Sequence, residues 1–494
     1  MIENAFPRIS PNNNKIAIVD SVGSHTYHTM NSRIDRFAAG LLKDQQDLQE
    51  ERIAFLIPAS LDYVTVLIGI WRAGGIAVPI NTASAELELK HFIESTGVTR
   101  LIASADSHNK VRGLCGNLRI QLLTVDDLVA SECNRLPNVS LERSAMILFT
   151  SGTTSKPKGV LTSHKAIRAQ ILTLLEAWKW SNQDVIPLFL PLHHVHGIIN
   201  VLSCALWSGA TVHMMPKLDL NTICSDVISD TYSVFMAVPT IYVKLLDHLN
   251  NLDIDFARAV GDGFGRMRLN VSGSAACPIN VFEQWKEQTG QILLERYGMT
   301  EVGMAISNSY AGERRAGFVG VPLPGVTVCL FDEFDRPVTE ENTPGEIRIK
   351  GDNLFKGYWN NPKATNEAFK RGWFCSGDIA VVEDSYFRIM GRSSIDIIKS
   401  GGYKLSALEI EGVILTHENV SEAAVFGIPD DTWGESVVAC ICLKAGTKLE
   451  YTDLKNWCVD KMSAYKIPKR MRVLDSLPRN AMGKVTKSML KEKL

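Results

Sequence analysis

Residues 145–159 of the chain read AMILFTSGTTSKPKG. The first five are apolar and predict a buried strand, and the ten that follow combine hydroxyl groups, glycines and lysines. In such a segment, backbone N–H groups and hydroxyls can surround phosphate oxygens while lysine neutralises their charge. The segment has neither the Gly-Lys-Ser/Thr order of a P-loop nor the glycine spacing of a dinucleotide-binding turn. Taken alone, it predicts either a phosphate-binding loop after a strand or a solvated linker.

Strand and helix signals alternate upstream of this stretch. Residues 53–57 are typical of a buried strand, and Ser60 is typical of the cap of an amphipathic helix, which stops at Gly74. Residues 76–80 are typical of the next strand. This alternation predicts parallel, doubly wound sheets.

Turn-rich spacing between about residues 312 and 390 predicts a small β subdomain, and the residues that follow predict a compact α+β unit. We therefore expect an α/β fold. A large N-terminal portion with doubly wound sheets and the small β subdomain would span residues 1–391. A hinge at residues 392–396 would connect it to a mobile, small α+β C-terminal domain, residues 397–494.

The composition is that of an ordinary globular protein: 494 residues, 45% hydrophobic and 21% charged, with 52 Lys and Arg against 54 Asp and Glu. This near-neutral balance argues against nucleic-acid binding as the main activity. The ten cysteines form no CxxC pair, which excludes a zinc ribbon and favours a reducing compartment. Prolines and histidines interrupt the most apolar stretch, residues 185–207, so we expect no membrane span. Without a signal-peptide pattern at Met1, we expect a cytoplasmic protein, or a mitochondrial matrix protein if a transit peptide has been removed.

Five segments in order resemble the motifs of the adenylate-forming superfamily, which comprises acyl-CoA synthetases, peptide-synthetase adenylation domains and luciferases. They are residues 150–159, YGMTE at 297–301, GWFCSGD at 372–378, GR at 391–392 with KSGG at 399–402, and PRNAMGK at 478–484. Two positions depart from the family pattern. Ser155 stands where the family usually has glycine, and Ser394 stands where many relatives carry the hinge Asp or Lys, in a junction one residue longer. The hinge could therefore be Ser394, Ile395 or Asp396.

The resemblance implies binding of ATP with Mg²⁺ and attack of a carboxylate on the α-phosphorus. Two anions that approach each other require a cation, and Lys484 is the implied one. Thr300 would bond the α-phosphate, Glu301 and Thr153 would hold Mg²⁺, and Tyr297 would stack on adenine. The implied ATP-binding residues are Thr150, Ser151, Gly152, Thr153, Thr154, Ser155, Lys156, Pro157, Lys158, Gly159, Ser274, Ala275, Glu295, Tyr297, Thr300, Asp378 (on the ribose), Arg392 and Lys484.

In the second step of the implied reaction, the small domain rotates and the thiol of CoA attacks the acyl-adenylate. The residues expected at CoA are Lys399, Gly401, Gly402 and Lys404, with Lys466 and Lys469 as further candidates for its phosphates. The resemblance also implies four catalytic residues: Lys484, Thr300, Glu301 and His194. Of these, His194 would line the acyl and CoA tunnel. We interpret the neighbouring His193 and His196 as structural, and the histidine spacing does not match a zinc site.

The prediction of which carboxylic acid is the substrate depends on Arg296. A charged side chain beside the nucleotide site is costly unless something anionic meets it, and the second carboxylate of a dicarboxylic acid would do so. The alternative is an ion pair of Arg296 with Glu283 or Glu295. Residues 270–276, 294–301, 312–315 and 396–404 also resemble malonyl-CoA synthetases. We therefore expect malonate, or methylmalonate, as the substrate, with Ser272 and Gly298 beside Arg296 at its carboxylate.

Other interpretations stay open on the sequence alone. The chain could activate a medium-chain or aromatic acid, load a carrier protein, or bind nucleotides without catalysis. Arg314 and Arg315 could form a second anion site or a solvated basic pair. The expected partners are small molecules, with no nucleic acid and no membrane span, and the chain is expected to be a monomer or a small homo-oligomer.

Overall fold

A computed structural model describes residues 14–130, 135–150, 157–393, 395–400, 403–430, 432–459, 461–479 and 485–492 of the chain, except for the side chain of Lys404. The predictions for Ser151, Gly152, Thr153, Thr154, Ser155, Lys156, Ser394, Gly401, Gly402 and Lys484 therefore lie outside the described residues.

The first part of the chain builds two mostly parallel sheets. Its elements are β1 (Ile16–Asp20), β2 (Gly23–Thr26), α1 (Tyr27–Leu42), β3 (Arg52–Leu56), α2 (Leu61–Arg72), β4 (Ile76–Pro79), α3 (Glu86–Thr96), β5 (Arg100–Ala103), α4 (Ala105–Leu118), β6 (Gln121–Leu123), α5 (Val125–Val129), β7 (Ser144–Thr150), β8 (Lys158–Ser163), α6 (His164–Ala177), β9 (Val185–Leu188), a π-helix (His196–Ser203), α7 (Cys204–Ser208) and β10 (Thr211–Met214). Strands β7-β4-β3-β5-β6 lie parallel in this spatial order, and β8 pairs antiparallel with β7. Strands β2-β1-β10-β9 form a second sheet.

The local signals of the sequence explain these elements. β3 and β4 are apolar and almost entirely buried because helices cover both faces of a parallel sheet. Ser60 caps α2, its hydroxyl accepting a hydrogen bond from the N–H of Tyr63 at 3.4 Å.

A third sheet carries the residues of the candidate site. Its elements are α8 (Leu220–Ile228), β11 (Val234–Ala237), α9 (Pro239–Asn250), α10 (Ile254–Arg266), β12 (Leu269–Gly273), α11 (Ile279–Thr289), β13 (Leu294–Met299), β14 (Gly303–Ser307) and β15 (Val321–Pro322). β11, β12 and β13 are parallel, and β14 and β15 continue the sheet antiparallel. One hydrophobic core joins this sheet to the first part of the chain, and it includes Trp71, Ile198, Leu294 and Ile306.

A small antiparallel sheet follows. Its elements are β16 (Val326–Phe331), β17 (Pro337–Val338), β18 (Gly345–Gly351), β19 (Gly357–Tyr358), α12 (Pro362–Glu367), β20 (Phe369–Lys370), β21 (Trp373–Glu383) and β22 (Tyr386–Arg392). The spatial order is β17-β16-β18-β21-β20, with β22 also on β21. β19 instead pairs with β8, so it lies beside the phosphate-loop hairpin.

The C-terminal part forms a separate sheet with helices. Its elements are β23 (Ile397–Ser400), β24 (Tyr403–Ser406), α13 (Ala407–Ile414), β25 (Val420–Asp430), β26 (Gly434–Leu443), α14 (Tyr451–Val459), a 3₁₀-helix (Ala464–Lys466), β27 (Arg470–Val473) and α15 (Lys487–Lys491). The order is β24-β23-β26-β25, with β27 parallel to β26.

The predicted fold class, an α/β chain with a large N-terminal and a small C-terminal domain, is confirmed. The domain boundaries at residues 391 and 397 stay predictions. In the described part of the chain, no helix combines the length and the apolar character needed to cross a membrane.

Candidate active site

The predicted phosphate loop begins on β7 and ends on β8, two strands that pair with each other. β7 and β8 pair in antiparallel register from Ser144 opposite Ser163 to Thr150 opposite Lys158, so residues 151–156 connect the paired ends. Other elements hold the second arm. The N–H of Trp359 donates to the carbonyl of Gly159 at 2.7 Å, and a ring nitrogen of His91 lies 3.2 Å from the carbonyl of Pro157.

Glu301 and Lys158 meet at one tyrosine. The hydroxyl of Tyr358 donates to Oε1 of Glu301 at 2.9 Å, and Nζ of Lys158 lies 4.9 Å from the centre of the same ring. Burial raises the pKa of Glu301, and the hydrogen bond from Tyr358 acts in the opposite direction. The hairpin and the turn after β13 therefore bring a cation and a carboxylate to one place.

Asp378 is held on both of its oxygens. The hydroxyl of Tyr297 donates to Oδ2 at 2.6 Å, and Nε of Arg392 donates to Oδ1 at 3.0 Å. Asp378 and Arg392 are direct neighbours across β21 and β22, whereas Tyr297 comes from β13. The cluster thus joins the third sheet to the small antiparallel sheet. Glu301 is close enough for both charges to act on it: Arg392 lowers its pKa and Asp378 raises it.

Arg296 is a buried cation without an acidic partner among the described residues. It is 3% exposed, its Nη2 donates to the hydroxyl of Ser274 at 3.3 Å, and its Nε has no partner. Its guanidinium packs on Gly273, where an added Cβ would lie 2.6 Å from Cζ. Burial lowers the pKa of Arg296 to about 9.

Neither acid considered as a partner of Arg296 pairs with it. The register of β12 and β13 places Gly273 beside Arg296 and Ser272 beside Glu295, so Ser272 and Glu295 face the opposite side of the sheet. There Glu295 accepts the N–H of Gly317 at 3.1 Å, and burial raises its pKa to about 7. Glu283 lies exposed on α11. The side chain of Ser272 is therefore not among the groups around Arg296, contrary to the expectation from the sequence.

His196 lies in the same cluster as Arg296 and Ser274, and its interpretation as structural stays untested. Its Nδ1 lies 3.2 Å from the hydroxyl of Ser274. The hydroxyl also accepts from Arg296, and it donates to Nδ1 in the tautomer of the neutral ring that carries its proton on Nε2. Burial and Arg296 lower the pKa of His196 far below its usual range, and Nε2 has no partner among the described residues. Two buried nitrogens, Nε of Arg296 and Nε2 of His196, thus have no partner among the described residues.

Two local features position this cluster. Ser274, just after β12, has a φ of 71°, a left-handed conformation that is uncommon for a residue other than glycine. His196 begins the π-helix, a form often found at functional sites. Ser274 itself is exposed, so Arg296 lies directly behind a residue that a ligand can reach.

Comparisons with known proteins identify the family. The family model described as AMP-binding enzyme matches residues 8–359, and the model described as AMP-binding enzyme C-terminal domain matches residues 409–484. The chain belongs to the AMP-binding enzyme family.

Several relatives in this family are similar over most of their length. The chain is 39% identical to the mitochondrial malonate–CoA ligase ACSF3 of Mus musculus, over 97% of this chain and 88% of that protein. It matches ATP-bound MatB of Rhodopseudomonas palustris with a TM-score of 0.91 and 31% identity, over 100% of this chain and 99% of the other. A malonyl-CoA ligase in a ternary product complex with methylmalonyl-CoA and AMP matches with a TM-score of 0.70 and 32% identity, over 96% and 100% of the two chains.

The remaining residues expected from the AMP-binding enzyme motifs lie around the same cluster or at the junction. Thr300 is half-buried at the turn after β13, and Ala275 is exposed beside Ser274. Gly298 has no room for a side chain, since an added Cβ would lie 2.1 Å from the carbonyl oxygen of Gly303. The ring of His194 lies 4.1 Å from that of His193.

Most of the other expected anion-binding cations have protein partners. Nη1 of Arg314 donates to the carbonyl of Ile292 at 2.6 Å, and Arg315 pairs with Glu313 and Asp384 at 3.0 and 3.2 Å, so both are engaged with protein groups. Lys466 pairs with Glu409, and Nζ of Lys469 lies 4.0 Å from the centre of the Trp433 ring. Lys399 is exposed on β23.

Proposed function

We propose that this enzyme is an acid–CoA ligase that forms malonyl-CoA from malonate, ATP and CoA through malonyl-adenylate, releasing pyrophosphate and AMP. Methylmalonate is the second acid in this proposal. The observation that carries it is Arg296, a buried cation with no acidic partner among the described residues. The names of the similar malonate–CoA ligases, and the methylmalonyl-CoA product in one of the similar structures, support the same acids.

The distal carboxylate of malonate satisfies the two unpaired donors. A carboxylate accepts only. Nε of Arg296 is a donor that lacks an acceptor, and Nε2 of His196 is a second one in the tautomer that carries its proton there. Acetate or a medium-chain acid would leave both buried donors unpaired, which is unfavourable.

The ATP residues act on the other carboxylate. Asp378, oriented by Tyr297 and Arg392, accepts from the ribose hydroxyls, and Lys158 at the start of β8 neutralises the phosphates. Thr300 bonds the α-phosphate, and Lys484 neutralises the two anions as they meet. His194 lines the path along which CoA arrives, and Lys399 meets its phosphates.

Mg²⁺ fits the residues present. The ion is usually held by one or two carboxylates together with substrate phosphates, and Glu301 supplies one buried carboxylate near Lys158. Among the residues that the structure describes, no group of three or more His, Cys, Asp or Glu could hold a metal by itself, in keeping with an ion that arrives with ATP. When bound, the ion neutralises phosphate charge.

Replacing Tyr358 with phenylalanine is expected to move the acidic limb of the pH profile of kcat/KM for ATP to higher pH. The hydroxyl lowers the pKa of Glu301, so its loss raises that pKa, and the carboxylate protonates at a higher pH as the pH falls. A hydrogen bond to a charged group is worth about 1.5–3 kcal/mol, which predicts a shift of the limb by about one to two pH units. Tyr386→Phe, which removes a hydroxyl that donates to the carbonyl of Glu313, is the control. An unmoved limb in Tyr358→Phe would contradict the role of Glu301.

For location we propose the cytoplasm, with the mitochondrial matrix as the alternative that the name of the mouse relative favours. Fractionation of cells that express the full-length protein distinguishes the two.

The reaction itself is tested by identifying its products. The purified enzyme is incubated with malonate, ATP, Mg²⁺ and CoA, and the products are analysed by mass spectrometry and nucleotide chromatography. The proposal predicts malonyl-CoA and AMP in equal amounts, with pyrophosphate. Formation of ADP, or release of pyrophosphate without a CoA thioester, would contradict it.

A further inference from the structure

A buried lysine lies at the C-terminal end of the described chain, apart from the substrate cluster. Lys487 is 8% exposed at the start of α15, and its Nζ contacts Oδ1 of Asp396 at 2.6 Å and Oε1 of Glu411 at 2.7 Å. Burial alone would lower the pKa of Lys487, but the two carboxylates raise it above its ordinary value, so the lysine is charged. A buried cation that binds two anions holds three segments of the chain together.

Asp396 connects this lysine to the nucleotide residues. Its other oxygen, Oδ2, accepts the N–H of Arg392 at 3.1 Å, and the side chain of Arg392 holds Asp378. Gly391, at a φ of 125°, packs directly on Asp396, since an added Cβ would lie 2.4 Å from the Cβ of that residue. The carboxylate of Asp396 is therefore bound on one side by the strand of the ribose site and on the other side by Lys487.

Lys487 also directly follows the segment that carries Lys484. The two ends of this segment are paired: the N–H of Thr486 donates to the carbonyl of Pro478 at 2.8 Å, and Arg479 and Val485 form an antiparallel bridge. Arg479 also pairs with Glu422 of β25. The base of the segment is thus fixed to the C-terminal sheet, and Lys487 fixes the residue next to it to the junction.

We propose that Lys487 is a positioning residue for adenylate formation: by binding Asp396 and Glu411 together, it holds the start of α15, which follows Lys484 in the chain, in register with Arg392 and Asp378. This inference rests on the proposed role of Lys484. Asp396 is enclosed by these contacts and moves with the small domain when the junction rotates. The thioester step follows that rotation and does not need the register.

The test separates the two half-reactions in Lys487→Met and in the charge-balanced variant Lys487→Met/Glu411→Gln, which removes one buried charge of each sign. Adenylation is measured as malonate-dependent exchange of pyrophosphate into ATP, and the thioester step as malonyl-CoA formed from supplied malonyl-adenylate. We expect adenylation to fall by about 100-fold, the loss associated with a misplacement of about 1 Å, while the thioester step stays near the wild-type rate. Lys487→Arg, which retains a charge that can reach both carboxylates, is expected to restore adenylation in part.

The controls separate the proposed role of Lys487 from the proposed role of Lys484, on which it rests. Lys455→Met, which replaces an exposed lysine of α14, should leave both half-reactions unchanged. If Lys484→Ala loses adenylation while both Lys487 variants keep it, the positioning role is wrong and the role of Lys484 stands. If Lys484→Ala keeps adenylation, both are wrong. Equal losses in both half-reactions of the charge-balanced variant, with a lowered melting temperature, would reduce Lys487 to a structural residue and overturn the proposal.

Discussion

Replacing Arg296 with alanine is expected to lower kcat/KM for malonate by about two to three and a half decades. The distal carboxylate then enters a buried site without its cation, and leaving such a charge unpaired costs roughly 3–5 kcal/mol. Propionate, which lacks the second carboxylate, should lose much less or gain. Arg296→Lys should rescue only in part, because an ammonium cannot supply a planar pair of donors.

Stability separates this role from a structural one. Arg296 has no acidic partner among the described residues, so its removal leaves no protein carboxylate unpaired, and the melting temperature of the free enzyme should stay the same or rise. Arg268→Ala is the matched control, since Arg268 pairs with the buried Asp184 at 2.6 Å. That variant should melt earlier and keep the ratio of kcat/KM for malonate to propionate. A uniform loss for both acids in Arg296→Ala, with a lowered melting temperature, would contradict the dicarboxylate assignment and leave the acyl-CoA ligase intact.

Lys484→Ala is expected to reduce adenylate formation by about 10²–10³-fold, the loss typical of removing one group that stabilises developing charge. The reason is that the carboxylate and the α-phosphate are both anions, and the lysine compensates them only while they meet. Thioester formation from supplied malonyl-adenylate should stay close to the wild-type rate, because phosphoryl chemistry is already complete.

The comparison requires both half-reactions on one preparation of the variant. Exchange of pyrophosphate into ATP reports adenylation, and malonyl-CoA formed from malonyl-adenylate reports the second step. Equal losses in the two would mean that Lys484 acts on folding or on domain closure rather than on the meeting of the two anions.

Local signals in the sequence predicted the fold well. The apolar runs near residues 53 and 76 and the cap at Ser60 became β3, β4 and α2, because strand burial and helix capping depend on neighbouring residues. The alternation of side chains along β13 was also readable: consecutive residues face opposite sides, so Glu295 could have been excluded as the partner of Arg296 from the sequence.

Contacts between distant residues could not be predicted in this way. The hydrogen bond of Tyr358 to Glu301 joins residues 57 positions apart, and that of Ser274 to His196 joins residues 78 positions apart. Nothing in the local pattern distinguishes His196 from a packed histidine, or Lys487 from a solvated lysine. Their roles follow only from the tertiary structure, which encloses them and determines which polar groups lack a partner.

The central claim is that the acid pocket is built for a second carboxylate, and the most direct test is the specificity of the unmodified enzyme. We would measure kcat/KM with ATP and CoA for malonate, methylmalonate, succinate, acetate and propionate in one pyrophosphate-release assay. The buried, unpaired nitrogens of Arg296 and His196 predict that kcat/KM for malonate is at least about 100-fold higher than kcat/KM for propionate. Methylmalonate should rank next after malonate, and the longer succinate should rank below methylmalonate. Propionate or acetate turned over as well as malonate would contradict the claim.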